Sequence, residues 1–229
     1  MSDYSTIYKN FDGDSMLDWR KKDADPYRNL IRDSNQLLFI HKHKDLKKKR
    51  VMVEYGCAFG DLLAMMKTLN PGHEQYGVEV VAKVARIAEK RLGKGRIFIQ
   101  SCEKRTPLKP ESTDLVFSFD VIEHVASKKN VEKMFEESNR LLKKDGVCII
   151  VTPNCNWLMK LIYVITGNSW MIDKKFHPNQ YSMLELKKEV AQKLRILKVE
   201  KGYDLNLFTK GLSWLGIHKH LCIVAGKMV

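Results

Sequence analysis

Val53-Glu54-Tyr55-Gly56-Cys57-Ala58-Phe59-Gly60 is the stretch that decides the fold. It closes an apolar run, Val51 to Val53, with an acidic residue and two glycines four positions apart, and an amphipathic segment from Asp61 to Leu69 follows. A strand turning sharply into a helix has this composition. Glycine takes backbone angles that a side chain forbids and lets the chain pass close to a ligand. A second apolar strand, Gln75 to Val80, carries Glu79, 19 residues beyond Gly60. At that distance a carboxylate meets the ribose hydroxyls of a nucleoside bound to a doubly wound sheet.

The glycine spacing is not that of a dinucleotide fingerprint. G-x-G-x-x-G brings backbone amides up to a pyrophosphate, whereas this loop reads E-x-G-x-x-x-G with no basic residue. A nicotinamide dehydrogenase is thereby disfavoured. The pattern resembles motif I of the class I S-adenosylmethionine (SAM) methyltransferases, D/E-x-G-x-G-x-G, with Ala58 where the middle glycine usually stands. Further stretches extend the resemblance in order. A third strand is expected over Arg96 to Gln100, and D-L-V-F-S-F-D-V-I-E-H-V at 114–125 is similar to the family's fourth strand. A helix with apolar Val131, Met134, Phe135, Leu141 and Leu142 is expected to stop at Lys143-Lys144-Asp145-Gly146, basic residues followed by glycine being a C-terminal signal. A buried strand, Val147 to Thr152, then runs into T-P-N at 152–154. The resemblance covers Val51 to Asn154 and thins outside.

It implies a Rossmann-like α/β fold: a seven-stranded, mostly parallel sheet with helices on both faces and an antiparallel last strand. One methyltransferase domain would span 1–229, with an N-terminal arm and helix in 1–50 and a SAM-binding core in 51–154. A lid or substrate insertion would occupy 155–182, and the rest of the sheet 183–229. The implied cofactor is SAM. Glu54 and the Gly56-Cys57-Ala58 turn to Gly60 would hold its methionine part, and Glu79 with Val80 the ribose. Cys102 and Glu103 stand where relatives place an acidic residue against the adenine, and Asp120 and Val121 close the site at the end of strand four. Alanine at 58 is expected to set the loop slightly further from the methionine.

Methyl transfer from a sulfonium is an in-line displacement with an activated donor. The protein must hold the acceptor atom about 3–3.5 Å from the methyl carbon and exclude water. A hydroxyl acceptor also needs a base. His124, just after strand four, has the right ordinary pKa, and His177 in F-H-P-N-Q-Y-S is expected to face it across the acceptor. Asp120, Glu123, His124 and His177 together also resemble the E-x-x-E-H … H set of small-RNA 3′-end 2′-O-methyltransferases, where four ligands hold magnesium. Ubiquinone-pathway O-methyltransferases carry a similar E-H and later histidine without a metal. The site is therefore read as metal-free, with His124 and His177 catalytic and the metal version as the alternative.

A chain of 229 residues is long enough for one well-buried domain and short for two. No stretch is long and apolar enough for a membrane span, and the N-terminus lacks the apolar core of a secretory signal. Five cysteines without C-x-x-C argue against a disulfide scaffold or zinc knuckle. Cys57, Cys148 and Cys222 are expected in the core, and the compartment is expected to be cytoplasmic.

The net charge of +13 is uneven: 12 basic against 8 acidic residues in 1–50, 16 against 14 in 51–150, and 12 against 5 in 151–229. Such an excess favours an anionic partner, whether RNA, an acidic or phosphorylated sugar, or an anionic membrane surface. Scattered lysines that only solvate the surface explain it equally well, and the run Lys47 to Arg50 reads as a helix end.

Residues 1–26, with Tyr4, Tyr8, Phe11 and Trp19, read as an arm, and Tyr27 to Lys47 as a helix. Trp157 to Ile165 form an apolar helix, either a lid or sheet packing. Ser182 and Glu185 fit a capping box opening a helix to about Leu194, and Ile196–Val199 and Leu221–Ala225 are the last strands. The expected activity is methyl transfer to a small-molecule or glycan acceptor, at oxygen. An RNA methyltransferase and a non-catalytic subunit of the same fold are the alternatives. The sequence does not set the oligomeric state.

Overall fold

The computed structural model describes residues 26–202 and 218–228. The elements are helix α1 (Pro26–His43), strand β1 (Val51–Tyr55), α2 (Asp61–Leu69), β2 (Glu74–Glu79), α3 (Ala82–Leu92), β3 (Ile97–Ile99) and β4 (Thr113–Phe119). There follow α4 (Lys128–Leu141), β5 (Leu142–Pro153), α5 (Trp157–Ile165), a 3-10 turn (Ser169–Ile172), α6 (Met183–Ala191), β6 (Arg195–Lys201) and β7 (His220–Gly226). The strands form one sheet in the order β3-β2-β1-β4-β5-β7-β6. Pairs from β3 to β5 are parallel, while β7 runs antiparallel to both β5 and β6. The expected seven-stranded sheet with its antiparallel last strand is what forms.

Period-two alternation divides the core between the two faces of the sheet. Val53, Tyr55, Val116, Cys148, Ile150, Leu221 and Ile223 share one cluster with Val131, Met134 and Phe135 of α4 and Leu186 and Val190 of α6. Met52, Leu115, Phe117, Ile149, Val151 and Cys222 share the other with Ile40 of α1, Leu63 and Met66 of α2, and Ala85 and Ala88 of α3. Strands covered on both faces become continuous apolar runs. All five cysteines are buried and none is in a disulfide.

Strand ends differ from expectation by a residue or two at β2, β3, β6 and β7, and three helix ends differ by more. Helix α4 stops at Leu141, and Lys143 to Gly146 already belong to β5. Leu142 pairs with Thr113, and the register then jumps to Leu115 opposite Val147. Sheet pairing thus takes the chain straight out of the helix. Lys143 Nζ bonds the Asp114 carboxylate at 3.0 Å instead of capping a helix end. Helix α1 ends at His43, short of Lys47, because side chains capture the amides that would extend it. His41 Nδ1 accepts from the Leu46 N–H at 3.2 Å, and Asp45 Oδ1 from that of Lys47 at 2.9 Å. Helix α6 starts on the expected capping box, Glu185 accepting from the Ser182 N–H at 2.8 Å, and stops at Ala191. The arm expected over residues 1–26 lies, but for Pro26, outside the described residues.

The strand order reverses between β1 and β4. Ligands in open α/β sheets bind in the crevice beyond the carboxyl ends of the strands at such a point. Among the described residues no helix is long and apolar enough to cross a membrane.

Candidate active site

A cavity of about 350 Å³ opens at this switch point, floored by the β1–α2 turn and walled by the ends of β2 and β4. The turn is held by backbone bonds, the N–H groups of Gly56 and Cys57 both donating to Val78 O at 2.8 and 3.2 Å. Gly56 has φ +67°, and a Cβ there would sit 2.5 Å from Val121 Cγ2. Gly60, at φ +72°, serves a different end. A Cβ there would meet Ala88 and Leu92 of α3 at 3.1 and 3.2 Å, so this glycine permits helix packing and is not among the cavity-lining residues. Gly77 also belongs to the loop's support, although the sequence reading passed over it. A side chain there would run into Cys57 Sγ.

Ala58 adopts φ +45°, so the loop keeps the glycine conformation although the residue is not glycine. An L-residue in the left-handed region costs about 1–2 kcal/mol. Ala58→Gly is therefore expected to raise the melting temperature, by the equivalent of about 0.5–1 kcal/mol after the flexibility that glycine adds to the unfolded chain. A melting curve checks this, and a lower melting temperature would contradict the strain.

Two buried carboxylates face the cavity. Glu79 Oε2 accepts from the Ala58 N–H at 3.1 Å and Oε1 from the Val81 N–H at 2.8 Å, so it pins the glycine loop to the end of β2. Burial pushes its carboxyl up, opposed by those backbone bonds. Glu54 is 7% exposed, and its Oε2 has no hydrogen-bond partner among the described residues. Burial first, then the charges of Asp33 and Asp61, hold its carboxyl well above the usual range. A buried acceptor without a donor is costly, and an ammonium group entering here would supply both donor and charge.

Cys57, Ala58, Val80, Cys102, Asp120 and Val121 also line this cavity. The Cys102 thiol is pushed up to about 12 by burial and stays neutral. Glu103 bonds the Ser101 hydroxyl and is not among the lining residues, whereas Gln100 and Ser101 are. Arg32, Asp33 and Gln36 of α1 close the far side, a contribution the sequence reading missed. Its signal was polar residues interrupting the apolar face of that helix.

A second cavity, about 480 Å³, adjoins the first and shares Asp120 and His124 with it. Its polar wall carries Glu123, His124, His177, His218 and His220, and its apolar wall Met159, Ile162 and Tyr163 of α5 with Trp170 and Met171. The loop bearing His177 is tied to the residues after β4. Asn179 Nδ2 donates to Ile122 O at 3.1 Å and Val125 O at 2.5 Å, and its N–H to Glu123 O at 3.2 Å. Asn179 therefore positions His177, and the sequence reading did not single it out.

The two predicted histidines come together, ring centroids 4.7 Å apart. His124 Nδ1 lies 2.9 Å from Phe176 O and His177 Nδ1 2.8 Å from Met171 O. A carbonyl only accepts, so each ring carries its proton on Nδ1 and its basic lone pair on Nε2. Glu123 is 3% exposed. Its Oε2 accepts from Thr152 Oγ1 at 2.9 Å, and its Oε1 lies 3.9 Å from His124 Nε2 without a hydrogen-bond partner among the described residues. One ligand atom each from Glu123, His124 and His177 fall within 4.8 Å of one another. Asp120, at φ +54°, is not one of these three, its Oδ1 3.6 Å from His220 Nε2, but its charge acts on both Glu123 and His124.

Burial, then neighbouring His177, lowers His124 from 6.5 to about 4. The unfolded chain thus binds the extra proton between those values. Stability from a neutral His124 is complete above about pH 6.5 and is lost as pH falls toward 4. In metal-free protein, the melting temperature is expected to drop more across that window in wild type than in His124→Gln. Equal drops would contradict it.

The sequence profile of the family described as a methyltransferase domain matches residues 53–150. That span holds the glycine loop, Glu79, strand four and His124. The match to a methyltransferase domain thus lies over the central part of the chain, residues 53–150. This domain is similar to a protein of Pyrococcus horikoshii (TM-score 0.64, 17% identity, 89% of this chain and 92% of that one). It is similar to geranyl diphosphate C-methyltransferase of Streptomyces coelicolor, solved with S-adenosylhomocysteine (0.63, 16%, 88% and 80%). A TehB-like SAM-dependent methyltransferase of Corynebacterium glutamicum also shares the fold (0.62, 14%, 91% and 97%). Two uncharacterized proteins of Methanocaldococcus jannaschii are each 25% identical, over 148 and 171 residues, which are 62% and 72% of this chain. The match spans about three fifths of their length, 60% and 62%.

Proposed function

We propose that this methyltransferase methylates a hydroxyl of a small-molecule or glycan acceptor seated in the second cavity. The observation that carries the reading is the junction of the two cavities at Asp120 and His124, where a methyl donor and an acceptor can meet. SAM supplies an electrophilic methyl group on a sulfonium. Glu54 would receive its ammonium, the Gly56–Ala58 turn would take its methionine chain, and Glu79, which keeps the loop in place, would accept from its ribose hydroxyls. Asp120 and His124 stand where the two cavities join, and the apolar wall from α5 would exclude water from the acceptor.

The chemistry of the acceptor wall favours a metal-assisted version over the metal-free one. A histidine lowered to about 4 is a weak base at neutral pH, and general bases work best with a pKa near the operating pH. A neutral imidazole whose other nitrogen donates to a carbonyl is, by contrast, the usual form of a metal ligand. Glu123 Oε1, buried and without a hydrogen-bond partner among the described residues, completes a set of two histidines and one carboxylate. This donor set would fit a divalent cation of the transition series. Such an ion would polarise a bound hydroxyl and lower its pKa.

Calorimetry with SAM and S-adenosylhomocysteine, followed by transfer of labelled methyl to hydroxylated acceptors with and without Mn²⁺ or Mg²⁺, tests the reading. Absence of SAM binding would favour the non-catalytic alternative, and label found on nitrogen or carbon would overturn the assignment to oxygen. Within the cofactor site, Glu79→Gln is expected to weaken SAM by about 1.5–3 kcal/mol, the scale of hydrogen bonds to a charged group. Its amide would also oppose the N–H of Ala58 or Val81. Affinity within a few tenths of wild type would place the ribose elsewhere.

A further inference from the structure

Helix α5 is apolar on both sides. Its inner face, Met159 and Tyr163, each 5% exposed, with Ile162, lines the second cavity. Its outer face carries Trp157, Leu161, Val164 and Ile165, exposed by 77, 49, 56 and 74%. These four follow at i, i+4, i+7 and i+8, one continuous stripe along the helix. Trp170, 55% exposed, adds a further indole from the adjoining turn. From 157 to 172 the sequence W-L-M-K-L-I-Y-V-I-T-G-N-S-W-M-I contains one charge, Lys160, and no acidic residue. A helix apolar on two faces belongs in a core or in lipid, and this one, with Lys160 its single charge, stands at the surface.

We infer that the outer face of α5 docks on an anionic membrane surface. Nine residues make a helix of about 14 Å, far too short to span a bilayer, so it lies in the interface plane. Charge selects the occupant. Residues 151–229 hold 12 basic and 5 acidic side chains. Lys174 and Lys175 are exposed just after the Ser169–Ile172 turn, with Asp173 before them, and Lys219 is exposed on the cavity's own lining. Tryptophan next to lysine at the edge of an apolar stripe is the composition of interfacial helices.

Docking places the mouth of the second cavity at the lipid surface, because one helix supplies both the docking face and the cavity wall. The acceptor is then an amphiphile drawn from the membrane, its apolar body against Met159, Ile162 and Tyr163 and its hydroxyl toward His124 and His177. This substrate class rests on the second cavity being the acceptor site, whereas the docking itself does not.

The test is co-sedimentation of the full chain with vesicles of phosphatidylcholine alone and of phosphatidylcholine mixed with phosphatidylglycerol. Wild type is expected to bind the anionic vesicles, less so at high salt, and to bind neutral ones weakly. Trp157→Glu/Ile165→Glu changes no cavity-lining residue. It is expected to lower vesicle binding by at least about tenfold with SAM affinity unchanged, which also reports an intact fold. Should the double variant lose SAM binding, tryptophan quenching of wild type by brominated lipid in anionic vesicles decides, quenching supporting the docking and its absence overturning it. Wild-type binding in a folded variant overturns it, as does a dimer in solution that the same substitutions dissociate. Vesicle binding without SAM binding would sink the proposed function and leave the docking standing, and the reverse result would sink the docking alone.

Discussion

Gly56→Val is expected to abolish measurable SAM binding while the protein stays folded, and Gly56→Ala to weaken it by at least about a hundredfold. The cause is local and twofold. At φ +67° a side chain costs about 1–2 kcal/mol, and its Cβ would lie 2.5 Å from Val121 Cγ2. Overpacking of that kind costs about 1–3 kcal/mol. Val121 lines the cofactor cavity, so relief of the clash moves either Val121 or the loop into the space that the cofactor needs. The companion substitution Val121→Ala removes the atom that is struck. Gly56→Ala/Val121→Ala is accordingly expected to recover part of the affinity lost by Gly56→Ala, leaving the backbone strain. Calorimetry measures the affinities, and far-ultraviolet circular dichroism checks the fold. Unchanged affinity in Gly56→Val would remove this loop from the cofactor site.

The fold was legible because its signals are local. Val51 to Gly60 could be read as a strand and turn from its apolar run and glycines, and the alternating pattern to Thr152 dictated a parallel sheet. The boundaries that moved are those where a partner distant in sequence decides. Lys143 to Gly146 carry every mark of a helix end, yet Leu142 finds Thr113 across the sheet, and strand pairing overrides the local signal. His41 and Asp45 shortened α1 through side-chain bonds that leave no periodic trace.

The site was legible where one residue's chemistry suffices and illegible where packing assigns the role. Glu54, Gly56 and Glu79, expected together from the glycine spacing and the resemblance, line one cavity. Gly60 shares that spacing but serves Ala88 and Leu92, because which neighbour a glycine accommodates depends on where the next helix lies. Arg32, Asp33 and Gln36 reach the cavity from α1, a helix with no motif of its own. Position alone gave His124 an ordinary pKa, and burial against His177 changes what that histidine can do.

His124→Ala is expected to lower turnover by about 10²–10⁴-fold with SAM affinity nearly intact, since its partners lie on the acceptor side. The size of that loss does not say why, but the pattern across three residues does. Were His124 a lone base, Glu123→Gln and His177→Ala would cost less, and chelator would leave wild type untouched. If Glu123, His124 and His177 hold one ion, the three substitutions lower both metal content and turnover by similar factors, and chelator inhibits until Mn²⁺ or Mg²⁺ is restored. Co²⁺ offers a readout apart from turnover: its visible spectrum shifts on binding two imidazoles and a carboxylate, and the shift should be lost in each variant. Glu123 Oε1, buried and without a hydrogen-bond partner among the described residues, argues for the ion: burial and then Asp120 push this carboxyl well above the usual range, and a bound cation would supply the charge that its ionised form needs. Full activity in chelator would return His124 to the role of base, and wild-type turnover in His124→Ala would leave proximity alone to explain the reaction.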